Sequence, residues 1–314
     1  MKIIITGGAG FIGCNIAREL ARRRHKVKII DNLSTGKLEN IADFKNKVKF
    51  IKGDIKNLTF LKKEFKGFDY VLHHAAMRAV AKTVDNPIEC NGNNITGTLN
   101  VLEAARDVKI KRVVFASSSA IYGSVKSGKN HESLPPNPLS PYALTKLTGE
   151  YYCRLFWQLY GLPTICLRYF NVYGPYQNPE SKYSAVIPIF VKQMKTNKRP
   201  MIYGTGEQSR DFVYIDDVIQ ANILAIKATK SVNGQVFNIG SGEKSVSIND
   251  LFKKLQMILN KQAIKPKYAP TQAGDVLKTE ADTSLAKKML EYKPKTNIEE
   301  GLKKYIEWFK IATP

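Results

Sequence analysis

Tyr142 and Lys146 stand four residues apart in SPYALTKLTGEYY (140–152), a stretch that begins at a turn and continues as a helix. That spacing sets both side chains on one helix face, one turn apart. A phenol with its usual pKa near ~10 is a poor base at neutral pH. An ammonium one turn away favours the phenolate. The pair therefore predicts a tyrosine able to take a proton from a substrate hydroxyl. Upstream, SSSAIYG (117–123) closes an apolar strand. A serine at that strand end is placed to hold the same hydroxyl. A Tyr–Lys pair alone is an ordinary feature of helix surfaces, so the reading depends on a second motif.

That motif opens the chain, in MKIIITGGAGFIGCNIARELARRRHKVKIIDNLSTG (1–36). Gly7, Gly10 and Gly13 lie between a strand at 2–6 and a helix at 11–23, and the register Gly8-x-Gly10-x-x-Gly13 also fits a dinucleotide fingerprint. Glycine allows the tight turn and a close backbone approach to a pyrophosphate, and the helix N-terminus offers unpaired N–H groups to that anion. Asp31 ends the next strand and can accept hydrogen bonds from an adenosine ribose. It would repel a 2′-phosphate, so NAD is expected over NADP. An oxidised nicotinamide near Tyr142 would favour the phenolate further.

The elements that must position these groups alternate. Apolar runs at 2–6, 27–31, 48–54, 70–76 and 112–119 read as strands, with helical stretches such as 95–107 between them. Such alternation predicts an α/β fold, a Rossmann-type doubly wound parallel sheet. Near residue 171 the pattern loosens into NVYGPYQNPESKYS, and an amphipathic stretch at 297–310 comes last. The expected division is a NAD-binding domain over 1–170, rejoined by a segment near 205–240, and a smaller mixed α/β substrate-binding domain over 171–314. With 314 residues, 43% of them hydrophobic, the chain can bury a sizeable core. Its apolar runs are too short for a membrane span. The first residues enter a strand directly, which is not the pattern of a secretory signal, so a cytoplasmic protein is expected. Cys14, Cys90, Cys153 and Cys166 show no paired spacing, so neither a disulfide framework nor a metal site is expected. The net charge of +22 is spread along the chain. It predicts a generally basic surface suited to an anionic small substrate, with no nucleic-acid or membrane partner.

The chain resembles the extended short-chain dehydrogenase/reductase family, and within it the UDP-sugar 4-epimerases. The resemblance rests on TGGAGFIG (6–13), DNLSTG (31–36), GDI (53–55), HHAA (73–76), NNITGTLNVLEAA (93–105), SSSAIYG, PYALTK (141–146), RYFNVYGP (168–175), RDFVYIDD (210–217) and NIGSG (238–242). It implies that Asp54 and Ile55 border the adenine. Ala75, Ala76 and Arg78 would lie along the phosphates and ribose, with Asn94 supporting from the next helix. Phe11, Ile12, Asn32, Ser34, Thr35 and Gly36 would complete the adenosine side, and Ser117 and Tyr169 the inner wall. It makes Ser118 the catalytic hydroxyl, Tyr142 the base, and Lys146 the ligand of the nicotinamide ribose that also tunes Tyr142. Asn171 and Arg210 would contact the diphosphate and Asp275 the uridine ribose, with Ser119, Val186, Tyr203 and Thr279 lining the substrate.

Three positions qualify the activity. Related dehydratases and decarboxylases carry an acid two residues after the catalytic serine, where this chain has Ala120, and alanine cannot transfer a proton. Gln272 replaces the family's diphosphate-binding arginine. Thr279 stands where a large aromatic residue narrows the sugar pocket, which suggests a roomier site and also resembles the UDP-glucuronate 4-epimerases. The resemblance thus implies NAD-dependent 4-epimerisation of a UDP-hexose, glucose/galactose or N-acetylated. UDP-glucuronate epimerisation or another nucleotide-sugar oxidoreduction is the alternative. A non-catalytic NAD-binding regulator would not need an intact Ser118, Tyr142 and Lys146. The resemblance also implies a homodimer formed through the helices near 94–107 and 142–159, whose apolar positions exceed what one sheet face requires.

Overall fold

Short runs of Ile, Val and Leu become strands covered on both faces, as parallel strands must be. The computed structural model describes residues 1–125, 128–178, 185–271 and 276–312. Six strands come first: β1 (Lys2–Thr6), β2 (Lys26–Asp31), β3 (Val48–Lys52), β4 (Tyr70–His73), β5 (Arg112–Ser118) and β6 (Thr164–Tyr169). Short strands follow as β7 (Asn171–Tyr173), β8 (Met201–Tyr203), β9 (Ser209–Arg210) and β10 (Phe212–Tyr214), then β11 (Gln235–Ile239), β12 (Val246–Ser247) and β13 (Lys267–Ala269). One seven-stranded sheet has the order β11-β6-β5-β4-β1-β2-β3 and is parallel throughout. The strand order reverses between β1 and β4, which opens a crevice at the strands' carboxyl ends. The remaining strands pair as β7 with β10, β9 with β12, and β8 with β13.

The helices are α1 (Phe11–Arg22), α2 (Leu58–Phe65), α3 (Val80–Asp85), α4 (Pro87–Asn91), α5 (Gly97–Asp107), α6 (Pro141–Tyr160), α7 (Val186–Lys195), α8 (Ile215–Lys227), α9 (Ile248–Leu259), α10 (Ser284–Leu290) and α11 (Ile298–Ala312). Side-chain alternation splits the core into two layers. Ile3, Ile5, Val114 and Leu167 pack with α1 and α8, and this layer continues through α7, α9 and α11. Ile4, Val71, Val113 and Phe115 pack with α2, α5 and α6. A turn of π-helix, Gly92–Thr96, joins α4 to α5.

Two strands end earlier than the apolar runs suggest. β3 stops at Lys52 because Asp54 turns the chain, its carboxylate accepting from the Lys56 N–H at 2.8 Å. β4 stops at His73 because the following loop is held away from the sheet, Asn94 pinning the backbone of Met77. Among the described residues no helix is long and apolar enough to cross a membrane. The four cysteines are free and buried.

One buried cation fastens the late part of the chain to the sheet. The Arg112 guanidinium, on β5, donates to the carbonyls of Ala225, Ile226, Ala228 and Thr229 and to Asn233 Oδ1, at 2.8–3.2 Å. It satisfies the last carbonyls of α8 and complements the negative end of that helix's dipole. Arg112→Met keeps the stem and leaves those acceptors without their donor. It should lower stability by ~2–4 kcal/mol in urea unfolding, with the native circular dichroism spectrum retained.

Candidate active site

The glycine turn brings β1, α1 and the loop after β4 closer than a Cβ permits. Gly7 has φ +71°, and a Cβ there would lie 2.6 Å from the Ala75 nitrogen. A Cβ on Gly13 would collide with the Gly7 carbonyl. Gly10 donates its N–H to that same carbonyl at 3.2 Å and caps α1, which Phe11 and Ile12 begin. Asp31, at the end of β2, is buried, and burial raises its carboxyl pKa. One of its oxygens accepts from Ala9 N–H at 3.0 Å and the other from Leu33 N–H at 2.8 Å. Each oxygen keeps a lone pair for a further donor. Gly36 lies directly against this carboxylate, where a Cβ would stand 2.8 Å from Oδ2. Asn32 donates to Asp54 at 3.1 Å and accepts from Ser34 N–H at 3.0 Å. Ile55 is buried, whereas Ser34, Thr35 and Arg78 are exposed. The first residues of α1, this turn and a carboxylate at the neighbouring strand end fit a dinucleotide's pyrophosphate and ribose.

The residues proposed for proton transfer converge where β5 meets α6. Ser140 caps α6 by accepting from Ala143 N–H at 3.2 Å, and Pro141 follows at the first helical position. Tyr142 therefore lies at the top of the helix and Lys146 one turn down. The Ser118 hydroxyl, at the end of β5, lies beside the Tyr142 phenol and accepts from Ala120 N–H at 3.2 Å. Lys146 is buried and donates to the Ala116 carbonyl at 2.7 Å, with its Nζ 4.8 Å from the Phe115 ring centre. Burial brings its pKa down to about 8. Burial raises the Tyr142 phenol, and the Ser118 hydroxyl and the Arg78 charge oppose that rise. The Lys146 ammonium sits 5.9 Å from the Tyr142 ring centre and is directed at a backbone carbonyl.

On the facing side, strands β7 and β10 carry a second cluster. Ser118 pairs in register with Tyr169, so Asn171 stands just beyond the same sheet edge. Thr279 is buried and donates to Asn171 Oδ1 at 3.3 Å, and Asn171 N–H donates to the Asp211 carbonyl at 2.9 Å. The Asp211 carboxylate, fully buried, accepts from Ser241 N–H at 2.8 Å and Ala281 N–H at 3.0 Å. Arg210 is partly buried and donates to the Ser209 carbonyl. Ser119 begins the turn after β5, Val186 begins α7, and Tyr203 ends β8, exposed. Gln272 and Asp275 lie outside the described residues.

Several side chains stand behind the site and bind protein groups. Asn94 accepts from Met77 N–H at 2.8 Å and donates to the Met77 carbonyl and to Thr145 Oγ1, both at 3.0 Å. It thereby ties the loop carrying Ala75, Ala76 and Arg78 to α6. The Tyr169 hydroxyl meets Asn222 and His74. Ser117 donates to Glu150 at 2.5 Å. Glu150 and Asp211 are structural residues to which the sequence analysis gave no role, although Asp211 lies within RDFVYIDD. Glu150 had one available signal, its place four residues after Lys146. Among the described residues no group of three or more His, Cys, Asp or Glu is arranged to hold a metal ion.

The sequence from residue 3 to 240 matches the model of the NAD dependent epimerase/dehydratase family. The chain belongs to that family. This epimerase/dehydratase chain is 39% identical to the UDP-N-acetylglucosamine 4-epimerase of Methanobrevibacter ruminantium M1, solved with UDP-N-acetylmuramic acid, with a TM-score of 0.94 and 99% of both chains covered. It is 38% identical to the UDP-glucose 4-epimerase of Thermotoga maritima, solved with UDP-glucose, at TM-score 0.94 over 100% of both chains. It is 36% identical to a UDP-glucuronic acid 4-epimerase of Bacillus cereus, solved with UDP-glucuronic acid and NAD, at TM-score 0.91 over 99% of this chain and 100% of the other.

The buried Lys146 makes a pH signature. Its folded pKa lies below the ordinary 10.5, so between about 8 and 10.5 the unfolded chain holds the extra proton. Its contribution to stability therefore rises with pH through that window. In NAD-free protein, wild type should gain on Lys146→Met as pH climbs from about 8 to 10.5 in denaturant titrations. A difference that stays flat would contradict the buried ammonium.

Proposed function

We propose that this protein is a NAD-dependent UDP-hexose 4-epimerase. The observation that carries the reading is the convergence of Ser118 and Tyr142 where β5 meets α6, with Lys146 one helix turn behind them on the Ala116 carbonyl, at the sheet edge shared with the glycine turn. When bound, NAD supplies a two-electron acceptor that takes hydride from a carbinol carbon and gives it back. Tyr142 Oη takes the proton of the sugar's 4-hydroxyl and later returns it to that same oxygen, once the 4-keto sugar has turned over in the site. The Ser118 hydroxyl, beside that phenol, holds the sugar oxygen in line with it. Lys146 places a positive charge behind the phenol and favours its ionised form. Ala120 offers no proton at the position where an elimination would need an acid, so the sugar keeps all its oxygens.

The three solved relatives act on sugars that differ at carbons 2 and 6. Thr279, small and hydrogen-bonded to Asn171, supports a pocket wide enough for an N-acetylated sugar. The glucuronate reading is kept as the second, since threonine at this position also resembles those enzymes. We assign the NAD-binding domain to 1–170 with the segment near 205–240, and the substrate domain to the rest of 171–314. The buried free cysteines suit a cytoplasmic setting.

The protein is also proposed to work as a homodimer. On α6, Leu144, Tyr151, Leu155 and Leu159 form one exposed apolar stripe, and Ile88 of α4 is 88% exposed beside that helix. A second copy pairing these helices would bury both stripes as a four-helix bundle.

Purified protein incubated with UDP-glucose, UDP-galactose, their N-acetylated forms and UDP-glucuronate should interconvert at least one 4-epimer pair, read by chromatography. Tyr142→Phe should keep the fold and NAD binding and lose ~10²–10⁴-fold in turnover. Near wild-type turnover in that variant would dismiss Tyr142 as the base. A charge set in the stripe, Leu155→Glu, should convert the dimer to a monomer in light scattering at micromolar concentration. A wild type that is monomeric under the same conditions would refute the proposed interface.

A further inference from the structure

Tyr142, Lys146 and Glu150 follow one another at four-residue intervals, so the three side chains stack on one face of α6. That face lies on the ends of β5 and β6. Glu150 is buried, and so is Arg168 on β6. The carboxylate takes Arg168 as a fork, Nε to Oε1 at 2.8 Å and Nη2 to Oε2 at 2.7 Å. Its Oε1 also accepts from Ser117 Oγ at 2.5 Å. Ser117 and Arg168 are paired in register across β5 and β6, one residue below Ser118 and Tyr169. A single carboxylate thus spans both strands just beneath the residues proposed to move the proton. The far side of Arg168 is fixed too. Its guanidinium lies 4.7 Å from the Tyr122 ring centre, and Tyr122 Oη donates to Asn238 of β11 at 2.7 Å.

We propose that Glu150 is a positioning residue of the catalytic centre: it locks α6 onto β5 and β6 through Ser117 and Arg168, and so fixes where Tyr142 and Lys146 stand relative to Ser118. The inference rests on the epimerase reading for its activity arm.

A buried ion pair that served only stability would be a poor device, since apolar residues of the same volume often do as well. What distinguishes this pair is its neighbour. The groups that face Lys146 are Tyr142, Glu150 and Cys153 from α6, Cys90 from α4, Cys166 from β6, and His73 at the end of β4 and His74 just after it. Glu150 is the carboxylate in this set. It favours the protonated ammonium against the burial that lowers Lys146 to about 8. Without Glu150, Arg168 would be left as an uncompensated buried cation and would push Lys146 the same way. Both effects make Lys146 lose its proton at lower pH.

The test compares wild type, Glu150→Gln and the double variant Glu150→Gln/Arg168→Met, each as purified with NAD restored. The double variant removes both charges and so avoids an unpaired buried guanidinium should the single variant fail to fold. Turnover should fall about 10-fold with KM for the UDP-sugar little changed, as expected when a supporting contact is lost. In Glu150→Gln the alkaline limb of the turnover profile should move down by about one pH unit, and by less in the double variant, which also removes the Arg168 charge. The pH above which NAD affinity declines, read by calorimetry, should move in parallel. A folded variant whose turnover, alkaline limb and NAD affinity profile all match wild type would overturn the assignment. Should wild type turn over no UDP-sugar, the epimerase reading fails, and the NAD affinity profile alone decides the role of Glu150.

Discussion

A helix start is pressed against a strand end more closely than a side chain would allow, and much else follows from that contact. With Gly13 against the Gly7 carbonyl, α1 begins directly behind β1. With Gly7 against the backbone of Ala75, the loop after β4 is drawn over the same point. The strand order reverses there, so the crevice and the helix N-terminus coincide. Any Cβ would move α1, the β4 loop or both. Asp31 arrives at the rim because β2 pairs in register with β1, and its carboxylate then closes the loop by accepting from Ala9.

Buried carboxylates hold the loops of the crevice in a common way. Asp31 joins Ala9 to Leu33, and Asp211 joins Ser241 to Ala281. Each accepts backbone N–H groups from loops that have no ladder to satisfy them. Asp211 does this beside Asn171 and Thr279, so that side of the crevice is built on one buried carboxylate.

What the sequence made legible was what lies close along the chain. The glycine turn and the Tyr142–Lys146 pair are set by spacings of three and four residues, and Asp31 by one helix and one strand. The strand end pointed to a serine there, and the family resemblance singled out Ser118 from its neighbours. The groups that complete the site come from far away. Ser117 meets Glu150 across 33 positions, and Thr279 meets Asn171 across 108. No periodicity encodes those meetings, because they depend on which strands become neighbours. The role of Asn94 depends on the π-turn at Gly92–Thr96, which rotates the helix within an otherwise ordinary pattern. The direction of the Lys146 ammonium was set by the Ala116 carbonyl, a backbone group with no sequence signature.

The place of β11 has a bearing on how the chain comes to be folded. That strand pairs with β6 along the edge of the sheet, yet it is synthesised after the loops and short strands between 170 and 235. The carbonyls that satisfy Arg112 also come late, from residues 225–229. A chain emerging from the ribosome therefore holds β1 to β6 with one open edge, and with a buried cation still lacking its acceptors, until residue 239 is free. Pairings of such long range close slowly, and an unpaired edge is open to association with other chains in the interval. The vulnerable species of this protein is its own nearly finished nascent chain.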